Sequence, residues 1–202
     1  LACALLAAAM FALVNAPAVA EASATDRQLP IYCVQRDQKM LAISFDAAWG
    51  NEDTQQLIDI LRKYNVKATF FVVGDWVDKY PESVKALHDA GHEVMNHSNS
   101  HAHMSQLSSE AIVADVEACN DKIEAVTGVR PTLIRPPYGE YDNNVITSIR
   151  SIGMEPIQWD VDSLDWKDLP AGEITERVVS RVQPGSIVLF HNAALHTPEA
   201  LP

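Results

Sequence analysis

Six short apolar runs of strand length alternate with amphipathic segments of helical period along this chain, and no two runs are joined by a hairpin signal. That pattern leaves few folds open. Strands separated by helical crossovers build a parallel sheet, because each helix must carry the chain back to the starting edge. Strands are predicted over 40–46, 67–73, 92–96, 132–135, 155–161 and 186–190, and helices over 53–64, 81–90, 109–127, 144–151 and 174–182. Ser108 is placed to cap the longest helix and Gly128 to end it, while Pro81 and Gly91 bracket the second. Six strands suit an open doubly wound sheet or an incomplete barrel. The stretch HTPEALP at 196–202 reads as the start of another helix, so a final helix and strand are expected beyond it.

The polar residues collect where such a fold does its chemistry. Asp46 ends the first strand, His97 and His101 follow the third, and Arg135 ends the fourth. Asp160, Asp162, Asp165 and Trp166 follow the fifth, and His191 ends the sixth. Parallel α/β folds place active sites at the C-terminal ends of their strands. Within the first strand, Asp46 shares a face with Ala42 and Ser44, whereas Leu41, Ile43 and Phe45 point the other way. Asp46 is therefore expected to look inward, towards a barrel mouth. His97 and His101 are four residues apart, a spacing that lets two imidazoles meet one divalent ion from a helical turn or a tight loop. By itself the pair is a weak signal in a histidine-rich stretch, and the His-Glu-x-x-His protease pattern is absent.

A formal charge of −12 argues against nucleic acid or an anionic membrane surface as partner. Residues 1–20 are uncharged and mostly apolar, and they end in Ala18-Val19-Ala20, so they read as a secretory signal rather than a membrane anchor. Residues 21–30 read as a flexible leader and 31–202 as the folded domain. Beyond the signal, Cys33 and Cys119 make no disulfide framework, and Cys119 falls on an apolar helix stripe where a buried thiol is expected. A nucleophilic hydrolase has little support, since no Gly-x-Ser-x-Gly elbow is present.

Taken in order, Ser44-Phe45-Asp46, His97-Ser98-Asn99-Ser100-His101, Arg135-Pro136-Pro137-Tyr138-Gly139, Asp162-Ser163-Leu164-Asp165-Trp166 and Leu189-Phe190-His191 resemble the five motifs of the NodB-homology polysaccharide deacetylases, carbohydrate esterase family 4. The resemblance implies a distorted (β/α) barrel, here C-terminally incomplete. It also implies a hydrolase that removes N-acetyl groups from a glycan with a divalent metal, Zn²⁺ or Co²⁺. By that likeness Asp46 is the general base, Arg135 its orienting partner, His191 the general acid and Asp165 the group that tunes His191. His97 and His101 are the metal ligands, the Tyr138 backbone N–H holds the oxyanion, and Trp166 with Leu189 walls the acetyl pocket. The substrate implied is an N-acetylated glycan, peptidoglycan rather than chitin, and the place secreted or cell-wall associated, with no stable membrane partner after signal cleavage.

One position departs from the pattern. The family's third metal ligand is an Asp directly after the base, and here that residue is Ala47. Glu52 or Asp53 could fold back to replace it. The alternative to an enzyme is thus a catalytically impaired glycan-binding relative.

Overall fold

A computed structural model describes residues 26–202; the expected signal and residues 21–25 of the leader lie outside the described residues. Among the described residues seven strands form one parallel sheet: β1 (Ala42–Ala47), β2 (Thr69–Val72), β3 (Glu93–Asn96), β4 (Leu133–Ile134), β5 (Glu155–Pro156), β6 (Val161–Asp162) and β7 (Ile187–His191). Their order is β5-β4-β3-β2-β1-β7-β6. The helices are α1 (Thr54–Lys63), α2 (Gly74–Lys79), α3 (Pro81–Asp89), α4 (Ser109–Thr127), α5 (Asn143–Ser151), α6 (Ala171–Val179) and α7 (Thr197–Ala200). The α/β reading holds, and so does the distorted barrel.

The fifth expected strand is the main correction. Residues 155–161 do not form one strand: β5 pairs with β4 and β6 pairs with β7, at opposite edges of the curled sheet. Four residues, Ile157 to Asp160, span the gap between them. A continuous apolar run signals burial, not which neighbour it pairs with, so the split was invisible in sequence. The short helix α2 was also unexpected, and α7 forms where HTPEALP predicted a helix start.

The capping signals worked as local chemistry requires. Ser108 Oγ accepts the Ala111 N–H at the start of α4, and Gly128 ends it at φ 75°, a left-handed turn that costs glycine least. Ile112, Val116, Cys119 and Ile123 are buried along one face of α4. Among the described residues Cys119 is a buried free thiol, its pKa pushed up to about 12 by burial, and Cys33 is an exposed free thiol. Within residues 26–30 the Gln28 N–H donates to Asn143 Oδ1, and Arg150 donates to Leu29 O and Gln28 Oε1. Among the described residues no helix is long and apolar enough to cross a membrane.

Strand parity decides what faces the barrel interior. Phe45 and Ala47 join the apolar cluster under the helices, stacked through Phe45 on Phe70 and Phe190. Ser44 and Asp46 point the opposite way, as the alternation predicted, and meet Arg135 from β4's end.

Candidate active site

Register brings the polar strand ends together. Asp46 and His191 are direct partners in the β1–β7 pairing, so base and acid candidates sit side by side. The His97 N–H bonds Val72 O and the Arg135 N–H bonds Asn96 O, which sets the third and fourth strand ends at the same level. A cavity of about 420 Å³ opens over this edge. Seven of the nine residues to which the resemblance assigned a role line it: Asp46, His97, His101, Tyr138, Trp166, Leu189 and His191. The other two, Arg135 and Asp165, are fully buried and stand behind Asp46 and His191.

Arg135 runs through the barrel interior. Its Nη1 donates to Asp46 Oδ1 at 2.7 Å, and its Nη2 donates to Ser44 Oγ at 2.9 Å and to Gln158 O at 3.2 Å. The guanidinium lies 4.2 Å from the Phe71 ring centroid, an apolar floor suited to its flat face. Burial pushes the Asp46 carboxyl upward, but His97, Arg135 and His191 together pull harder and hold it below its ordinary 3.8. Asp46 is thus a carboxylate at neutral pH.

The two histidines occupy a loop, not a helical turn. Asn96 Oδ1 accepts the Ser98 N–H, Ser98 Oγ accepts the N–H groups of Ser100 and Ala102, and both Ser98 and His101 adopt positive φ. Asn96 is itself held by donating to Val116 O and Asn120 Oδ1 of α4. His97 Nδ1 donates to Arg135 O at 2.7 Å, the backbone bond typical of a ligating imidazole, and leaves Nε2 facing Asp46 Oδ2 at 3.4 Å. Burial lowers the pKa of both imidazoles, that of His101 to about 4, so both are neutral near pH 7.

The set is nevertheless one ligand short. A catalytic zinc site takes three protein ligands and leaves one position open. Ala47 offers none, and it belongs to the apolar cluster instead of the cavity wall. Neither acidic substitute reaches the cavity: Asp53 Oδ2 accepts the Ala193 N–H, and Glu52 lies against Gly50. Among the described residues no three His, Cys, Asp or Glu side chains converge as a metal site. The residues present do not fit a resident Zn²⁺.

His191 is better equipped. Its Nδ1 donates to Asp165 Oδ1 at 2.8 Å, while Asp165 Oδ2 accepts the His191 N–H and the Thr197 hydroxyl. Burial works against a charge on His191, but the bond to Asp165 and the charges of Asp46 and Asp165 more than offset it, and the pKa lies above 6.5. With the folded value raised, this pair's stabilisation is full below about pH 6.5 and is lost as pH rises through the folded value. Asp165→Asn is expected to move the His191 titration down and to remove that pH dependence. Proton-detected imidazole titration reads it, and an unshifted His191 curve would show that Asp165 does not tune it.

Several cavity residues were not singled out in sequence. Ala48, Trp49 and Trp159 line it too, alongside Asp162, which the strand-end pattern had already marked. His103 stacks on Tyr138 at 4.2 Å and 9°, and its Nδ1 pairs with Glu140 Oε2 at 2.9 Å. Only the two tryptophans carried a usable signal, as large apolar residues beside strand ends.

The polysaccharide deacetylase profile matches residues 34–157. The chain belongs to the polysaccharide deacetylase family. It is 38% identical to the peptidoglycan-N-acetylmuramic acid deacetylase PdaC of Bacillus subtilis, over 79% of this chain and 33% of that protein. It is 34% identical to a peptidoglycan-N-acetylglucosamine deacetylase of Bacillus cereus, over 75% of this chain and 55% of that one. The chain thus spans from a third to just over half of these curated relatives. Among solved structures it superposes on a carbohydrate esterase family 4 pseudoenzyme from Bacillus anthracis, with TM-score 0.83 and 38% identity over 86% of this chain and 61% of that one. A mutant of that pseudoenzyme has restored enzymatic activity and matches equally well, at 39% identity and TM-score 0.83.

Proposed function

We propose that this chain binds an N-acetylated glycan, peptidoglycan rather than chitin, with an acetamide seated in the cavity between Asp46 and His191. One observation carries the reading: two complete carboxylate–cation pairs, Asp46–Arg135 and Asp165–His191, meet at the cavity floor beside only two metal-type imidazoles. The first half of that observation is amide-hydrolysis apparatus. The second half limits its rate.

In this reading Arg135 keeps Asp46 ionised, so Asp46 Oδ2 can accept a proton from a water bound beside it. His191, whose protonated form the Asp165 bond favours, gives its proton to the departing nitrogen from Nε2. Tyr138, at φ 61°, presents its backbone N–H to the oxyanion, and Leu189 with Trp166 encloses the acetyl methyl. Amide hydrolysis also calls for a water made nucleophilic near pH 7, which a three-ligand Zn²⁺ or Co²⁺ supplies in enzymes that hold one. This donor set falls short of that, so the chain binds substrate and turns it over poorly. A secreted or cell-wall site of action fits the peptidoglycan deacetylases it resembles.

The test pairs two measurements on the same preparation. Calorimetric titration with N-acetylglucosamine tetramer should give saturable binding, and acetate release from it should stay near background with or without added Zn²⁺. Absent binding overturns the reading, and fast metal-dependent release would show that a third ligand comes from elsewhere.

A further inference from the structure

Trp49 takes no part in the roles above. It is the most exposed tryptophan of the chain, at 68%, and it stands at the cavity rim directly after β1. The loop that carries it is anchored. Gly50 O accepts bonds from Trp76 Nε1, at 3.0 Å, and from Asn192 Nδ2, and a side chain at position 50 would run into Glu52. Three residues on, Asp53 Oδ2 binds the Ala193 N–H at 2.9 Å. A fixed loop therefore holds a large apolar ring out in water, where it gains little from packing.

The surroundings say what such a ring suits. The Trp49 centroid is 6.0 Å from that of His101, His101 is 4.5 Å from Tyr138, and Tyr138 is stacked on His103. These rings follow β1, β3 and β4, so they form a row along the cavity mouth that starts beside β7 at Trp49 and runs towards β4, with Trp166 at the far edge after β6. Flat apolar faces bordering a polar floor match a pyranose, whose C–H faces are apolar and whose edge carries hydroxyls. A nucleic-acid base would fit the rings too, but a chain of charge −12 repels its phosphates.

We infer that Trp49 is a stacking platform for the sugar unit next to the one whose acetamide enters the cavity, so the site reads a glycan chain and not a single sugar. The inference rests on the proposed glycan-binding reading of the cavity. Trp49 contributes affinity through the neighbouring unit and takes no part in proton transfer.

Titration of the whole chain with N-acetylglucosamine and with its tetramer separates the two ideas. Trp49→Ala is expected to weaken tetramer binding about tenfold while leaving the monosaccharide affinity unchanged. Trp49→Phe is expected to restore most of the loss, and tetramer binding should quench indole fluorescence in the unsubstituted chain but far less in Trp49→Phe. Thermal melts of both variants check that the fold is intact. Equal tetramer affinity in the unsubstituted chain and Trp49→Ala overturns the platform alone. A parallel loss for monosaccharide and tetramer overturns it too, since that pattern marks a merely structural role beside His101. If the unsubstituted chain binds neither sugar, the functional reading fails and the platform with it.

Discussion

Asp46→Ala is expected to lower folding stability by about 3–5 kcal/mol, with a fall in Tm on the order of 10 °C. The reason lies in Arg135, which is fully buried and has Asp46 as its one charged partner among the described residues. Removing the carboxylate leaves a guanidinium in the barrel with only neutral acceptors, Ser44 Oγ and Gln158 O. Among the described residues its Nε has no partner, so the site has no slack to absorb the loss. The double variant Asp46→Ala, Arg135→Met should recover most of the deficit, because an apolar pair replaces an unpaired charge and Ser44 Oγ keeps its bond to Val188 O. Additive losses in a urea-denaturation cycle would mean that the two residues act independently. The pH dependence has the opposite sign to that of His191. With its folded pKa lowered, Asp46 contributes stability above its unfolded value near 3.8, and that contribution is lost as pH falls through the folded value.

Ala47→Asp is expected to tighten Zn²⁺ binding by at least about a hundredfold, and to raise metal-dependent acetate release from N-acetylglucosamine tetramer by a similar factor. Loss of an outer-shell partner already costs a metal site ten- to a hundredfold, and residue 47 would be a direct ligand. His97 is prepared for the change, with Nδ1 engaged by Arg135 O and the neutral ring offering Nε2. The substitution has a cost without metal. Position 47 is 1% exposed in an apolar cluster, so an added carboxylate is buried without a partner. The metal-free variant should therefore melt lower than the parent, and saturating Zn²⁺ should return its Tm to the parent value or above. Adding Asp46→Asn in that background should abolish the release. Unchanged Zn²⁺ affinity in Ala47→Asp would show that this position cannot reach the two imidazoles.

Much of the site was legible because it depends on local rules. Alternation along β1 set the direction of Asp46, and the cap and stop at Ser108 and Gly128 fixed α4, whose Asn120 steadies the histidine loop through Asn96. Every predicted site residue either lines the cavity or backs one that does. What stayed hidden depends on contacts between segments far apart in sequence. The run at 155–161 could not declare that it serves both sheet edges, and Glu52 and Asp53 could not declare that they face away from the cavity.

The sequence by itself determined the parallel strand–helix architecture and the inward aim of Asp46, since both follow from period and spacing, and its resemblance to the deacetylase motifs gave their order and marked Ala47 as the departure. Only the tertiary structure decided that Glu52 and Asp53 do not take Ala47's place, that Arg135 and Asp165 support their partners from full burial, and that Trp49 stands at the rim on an anchored loop. Those facts depend on register, pairing and loop anchoring, in which residues a hundred or more positions apart meet within a hydrogen bond's length.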